Sequence, residues 1–129
     1  MTKYQREQVE KFLISAQSKL VSEVTGELHH GDCHGVDVEA AIIAKKLGYR
    51  IVSHPPIKED LQAFYQSHEY REPLSYFARN RNIVNETDYL LVVPYQMEWQ
   101  SNGGTWYTHD YAKKVGKPII MFWPEAKDG

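Results

Sequence analysis

Apolar residues recur at helical spacing from the start of the chain. Val9, Phe12, Leu13, Ala16, Leu20 and Val24 form one stripe behind a capping-box pair, Thr2 and Gln5, and Gly26 stands where the helix should end. Residues 27–30 read as a short strand that runs into the turn Gly31-Asp32-Cys33-His34-Gly35. Beyond it Val36, Ala40, Ile43, Ala44 and Leu47 make a second helical stripe, with Gly48 at the position of a C-terminal cap. A second strand over 49–53 is stopped by His54-Pro55-Pro56. Residues 55–74 lack a period, and the sequence predicts a long loop there with at most a helical turn over 61–65. Ser75 can cap a third helix through Arg79, Asn80, Ile83 and Val84 to Thr87. The run at 88–93 is nearly all apolar, as in strands buried on both faces of a parallel sheet. A loop over 94–103, a helix over 104–115, the break Gly116-Lys117-Pro118 and a last strand over 118–123 complete the pattern.

Four strands alternating with helices predict an α/β domain, a three-layer parallel sheet with right-handed crossovers. The 129 residues fit one domain, without repeats, low-complexity tracts or a linker. A net charge of −2 argues against a general nucleic-acid surface, which needs an excess of basic groups. The single cysteine, Cys33, excludes an intramolecular disulfide and suits a reducing, cytoplasmic compartment. No apolar run has membrane-spanning length, and no signal-peptide core opens the chain, so no membrane partner is expected.

In open parallel sheets, ligands sit at the carboxyl ends of strands, on turns that enter helices. Two turns have that composition: Gly31-Asp32-Cys33-His34-Gly35, and Ser101-Asn102-Gly103-Gly104-Thr105. Glycine lets backbone approach a ligand, and free N–H groups with the helix dipole favour an anion; glycine can equally serve the turn's conformation alone. Arg79 and Asn80 precede Ile83 and Val84 by three to four residues, which puts them on the sheet-facing stripe near the same edge. Arg79 reads either as a phosphate or carboxylate clamp or as the partner of Asp32, Asp37 or Asp88 in a structural ion pair. Tyr95, Trp99, Trp106 and Tyr107 flank the second turn and can stack on a base, or cover the sheet or a dimer contact. His29, His30, Cys33 and His34 match no zinc spacing, and neighbours on a strand face opposite ways, so no metal site is expected from them. Cys33 lies near a helix start that favours a thiolate, but without a base it reads as a packing residue.

Four motifs in order carry a resemblance: His30-Gly31-Asp32-Cys33-His34-Gly35-Val36-Asp37; Pro55-Pro56; Phe77-Ala78-Arg79-Asn80 with Ile83-Val84; and 101–106 followed by Gly116-Lys117-Pro118. Together they resemble the SLOG superfamily, the Rossmann-like Smf/DprA and LOG proteins, and within it the small stand-alone YspA/cpYpsA-like branch. The resemblance covers nearly the whole chain. It implies a Rossmann-like fold that binds a nucleotide or nucleotide-derived ligand, ADP-ribose-type molecules included. Carried over by position, Gly31, Asp32, Gly35 and Asp37 belong to the first turn, Arg79 and Asn80 to the helix, and Ser101, Gly103, Gly104 and Thr105 to the second turn.

The chain departs from the family at two points. Members usually open with a strand and a Thr-Gly-x-Arg-type turn, and this sequence begins where that turn should end. The sheet is therefore expected to lack the family's first strand, leaving 27–30 and 88–93 to face a gap or to pair directly. The catalytic glutamate of the LOG phosphoribohydrolases falls at Thr108, which cannot act as a carboxylate nucleophile or base. His109 and Asp110 are adjacent, but a shift of one or two residues turns a helical side chain by about 100 or 200 degrees. The expectation is a binding module (sensor, carrier or sequestering protein) with no assigned catalytic residue. N-glycosidic hydrolysis or transfer is the alternative, and single-stranded DNA binding a third. The aromatic segment from Leu61 to Phe77 also predicts self-association into a homo-oligomer.

Overall fold

The computed structural model describes residues 1–20, 24–57, 62–97 and 104–126. Its elements are α1 (Lys3–Ser18), β1 (Glu27–His30), α2 (Val36–Lys46), β2 (Arg50–Ser53), β3 (Glu69–Tyr70), α3 (Tyr76–Glu86), β4 (Leu90–Val92), α4 (Gly104–Val115) and β5 (Ile119–Met121). Every strand pair is parallel, so the chain is an α/β protein, as the alternating pattern predicts. No helix among the described residues is long and apolar enough to cross a membrane.

The capping box at α1 forms as expected: the Gln5 amide donates to Thr2 Oγ1 and the Thr2 amide to Gln5 Oε1. Gln5 is also buried, and its Nε2 donates to the carbonyls of Pro94 at 2.8 Å and Phe122 at 2.9 Å. One side chain thus caps the helix and ties it to the residues after β4 and β5. The helix ends well before Gly26. Ser18 Oγ returns a bond to the Ser15 carbonyl, the Lys19 amide tightens onto Ala16 and Gln17, and Leu20 and Val24 are exposed. Gly26 has another role: a Cβ there would lie 2.6 Å from the ring of Tyr49, whose hydroxyl donates to the Leu13 carbonyl.

The strands form two sheets instead of one, ordered β1-β2-β3 and β4-β5. Val9, Leu13, Leu28, Ala41, Ala44, Tyr49, Ile51 and Phe122 make one core cluster, and Val84, Leu90, Val92 and Ala112 a second. The edges of β1 and β4 do not pair with each other. Both strands instead line an apolar slot of about 370 Å³ that reaches Val9, Phe12 and Leu13 of α1. Of facing a gap or pairing directly, β1 and β4 face a gap among the described residues.

The segment expected to be a bare loop contains a fifth strand. β3 pairs parallel with β2 (Val52 with Glu69, Ser53 with Tyr70), and bridges join Pro56 to Leu74 and Cys33 to Gln62. No helical turn occupies its described part before β3. The organising group is Asp32: its carboxylate accepts the Tyr65 amide at 2.8 Å and Gln62 Nε2 at 3.3 Å, a long-range pairing invisible to periodicity. Ser75 stands at the start of α3, but its side chain makes no capping bond, and the Ser75 carbonyl simply begins the helical ladder at Arg79.

Candidate functional site

A cavity of about 440 Å³ opens where β1, α2, α3, β4 and α4 converge, and it collects most of the residues singled out in the sequence. Gly31 and Asp37 of the first turn, Arg79 and Asn80 of α3, and Gly104 and Thr105 at the start of α4 all line it. Ser101, Gly103 and Trp99 lie outside the described residues. Asp32 and Gly35 do not line it. Asp32 is buried at φ 57° and spends its carboxylate on 62–65. Gly35 precedes α2 at φ 92°, a conformation glycine adopts freely, so its role is the turn itself.

Arg79 is 2% exposed. Its Nη1 donates to the carbonyls of Gly31 and His54, the latter at 3.2 Å, and its Nε donates to Asn80 Oδ1 at 2.7 Å. The guanidinium also sits 5.0 Å from the centroid of the Tyr76 ring. None of the carboxylates considered as partners reaches it, and Arg79 forms no ion pair among the described residues. Asp37 instead accepts the Cys33 amide at 3.1 Å. The cation is held by three oxygens and, through Nη2, by Cys33 Sγ at 4.0 Å, and among the described residues no carboxylate pairs with it.

Two glycines owe their identity to this arrangement. A Cβ on Gly31 would lie 2.6 Å from Arg79 Nη1 and 2.8 Å from its Cζ, so the first turn needs glycine in order to seat the guanidinium. A Cβ on Gly104 would fall on the Tyr76 hydroxyl. Gly104 carries no positive φ among the described glycines, and close approach alone requires it.

The aromatic candidates separate. Tyr95 lines the cavity and is largely exposed, whereas Trp106 is buried against Trp123 and His109. Tyr107 packs on Phe77, with ring centroids 4.3 Å apart, and its hydroxyl accepts from Arg81. Thr108 lines the cavity, but its hydroxyl donates to the Gly104 carbonyl at 2.8 Å. His109 and Asp110 bond to each other at 2.9 Å and do not line the cavity.

The histidines part as strand alternation requires. His30 accepts the Asp32 amide at Nδ1 and meets Ser67 through Nε2. Burial holds its pKa below the ordinary value against the opposing pull of Asp37 and Asp32. His29 instead faces His54, a residue that reads in sequence only as a strand stop. Burial first, and the adjoining His29 second, lower the pKa of His54 to about 4. Comparison with protein-family models, characterised proteins and solved structures finds no match to this chain.

Proposed function

We propose that the cavity binds a nucleotide or nucleotide-derived molecule, of the ADP-ribose type, and that the chain acts as a sensor, carrier or sequestering module. In this reading the two parallel sheets belong to a Rossmann-like three-layer domain of the SLOG kind. The observation that carries the proposal is Arg79. A buried cation without a counter-ion costs several kcal/mol unless dipoles and a later partner compensate it. Three oxygens supply the dipoles, and an anion in the cavity supplies the partner.

The surrounding groups fit the same ligand class. The start of α4 brings the positive end of a helix dipole to the wall beside Thr105. Asp37 offers an acceptor suited to ribose hydroxyls, and Tyr95 an aromatic face suited to a base. The volume lies within the range of small-molecule sites, roughly 300–1,000 Å³. Thr108 gives no base or nucleophile, so binding is favoured over glycosidic cleavage.

Thermal shift with AMP, ADP-ribose and NAD, each compared with inorganic phosphate and adenosine, tests this. Stabilisation by the phosphorylated nucleosides above both controls, with no free base released, is the expected result. No response to any of the three removes the proposal, and released base turns it into the enzymatic alternative.

A further inference from the structure

Beside that cavity, whose lining includes His29, three side chains converge that share no sequence motif. His29 lies in β1, His54 directly follows β2, and Glu86 ends α3. One donor atom from each lies within 4.8 Å of the others. We propose that His29, His54 and Glu86 form a binding site for a divalent transition-metal ion of the zinc class.

The donor set is two imidazole nitrogens and a carboxylate oxygen, a combination that suits zinc and its neighbours, with water as a fourth ligand. The two rings are held by the parallel ladder of β1 and β2, reinforced by the bond from the His54 amide to the His30 carbonyl at 2.8 Å. Their side chains are 3% and 2% exposed, while that of Glu86 is 33% exposed, so the cluster is dry on the imidazole side and open on the carboxylate side. Orientation is set from outside the cluster. Glu27 Oε1 lies 3.1 Å from His29 Nε2 and fixes the proton there, which turns the Nδ1 lone pair toward His54. Carboxylate–histidine pairs of this kind aim metal-bound imidazoles. Arg71 Nε donates to Glu86 Oε1 at 2.7 Å, which leaves Oε2 for the cluster.

The hydrogen bonding within the cluster is incomplete. His29 Nδ1 and His54 Nε2 are 2.8 Å apart and need one proton between them. With His29 protonated on Nε2, that proton belongs to His54 Nε2. The Nδ1 of a neutral His54 then faces Glu86 Oε2 as acceptor to acceptor, and the two stand 3.7 Å apart, beyond hydrogen-bond reach. A cation gives both imidazoles and the carboxylate one common partner. The His54 proton moves from Nε2 to Nδ1, and no proton leaves the cluster. Zinc–nitrogen bonds of about 2.0–2.1 Å place tetrahedral donors about 3.4 Å apart, so the rings need separate by only about 0.6 Å. Such an ion would clip the first sheet to α3, beside the gap between β1 and β4.

The test is titration of the chelator-stripped protein with Co²⁺, followed by displacement with Zn²⁺ and melting in both states. The expected result is one Co²⁺ per chain, a visible ligand-field spectrum without a thiolate charge-transfer band, and a higher Tm with Zn²⁺. Glu86→Gln, at a part-exposed position that leaves the imidazole pair intact, should weaken Zn²⁺ binding about tenfold or more. His29→Gln should abolish the spectrum, with circular dichroism confirming that the fold persists. Absence of a stoichiometric Co²⁺ spectrum, a thiolate band assigning the ion to Cys33, or wild-type affinity in Glu86→Gln would each overturn the proposal.

Discussion

The contact between Gly31 and Arg79 makes a quantitative claim: the glycine is required because the guanidinium occupies the space a Cβ would fill. In Gly31→Ala the new methyl lies 2.6 Å from Nη1, so the guanidinium must leave its bonds to the Gly31 and His54 carbonyls. Overpacking of this kind costs about 1–3 kcal/mol. Arg79→Ala alone leaves two backbone carbonyls and Asn80 Oδ1 without their donor. At about 1–3 kcal/mol per unsatisfied buried group, reduced where cavity water can replace the donor, the expected loss is about 3 kcal/mol. In the double variant the methyl added at position 31 enters vacated space, and its cost should fall below about 0.5 kcal/mol. Urea unfolding of the four proteins then gives a coupling of about 1–2 kcal/mol, with the double variant more stable than the sum of the singles predicts. Additive effects, within about 0.5 kcal/mol, would mean that Gly31 is needed for backbone conformation and that the argument from the Cβ clash is wrong.

Further expectations follow from other contacts. Burial raises the pKa of Tyr49, so above pH 10 the unfolded chain loses that proton before the native one does, and stability falls as pH rises. Tyr49→Phe should remove this alkaline component and cost about 1 kcal/mol at neutral pH for the lost bond to Leu13; an unchanged profile above pH 10 would contradict it. Thr108→Ala should leave ADP-ribose affinity within about twofold, because its hydroxyl is committed to the Gly104 carbonyl, whereas Gly104→Val should lower affinity about tenfold by displacing Tyr76 and narrowing the cavity. Calorimetry on folded variants separates the two. Ile57, Phe64, Tyr70 and Phe77 are exposed, and light scattering at micromolar concentration should show a dimer or larger species; a strict monomer would refute self-association.

The elements readable from the sequence are those whose signal is local. The α1 capping box, the α2 stripe and the apolar run at β4 each state their structure within a dozen residues. β3 could not be read this way, because Glu69 and Tyr70 become a strand only by meeting Val52 and Ser53, beside a segment, 62–65, that Asp32 anchors from far away in sequence. The candidate site was legible as a set of turns, since Gly31, Asp37, Gly104 and Thr105 precede or begin a helix, where ligands gather in parallel sheets. The role of each residue was less legible. Asp32 looks like a ligand contact in sequence, and its anchoring of 62–65 from a buried position is not visible there; nor is the seat that Gly31 gives the Arg79 guanidinium. His54 escapes a local reading because its partners, His29 and Glu86, lie 25 and 32 positions away, at no spacing that any local pattern encodes.

The central claim is that Arg79 awaits an anion. Calorimetric titration of AMP and ADP-ribose into the wild type and into Arg79→Gln, at a temperature where circular dichroism shows both folded, tests it most directly. One site per chain is expected in the wild type. Loss of a charge-assisted bond, about 1.5–3 kcal/mol, should weaken binding at least about tenfold in the variant. Equal affinity in the two proteins would contradict the account and place the ligand away from this cavity.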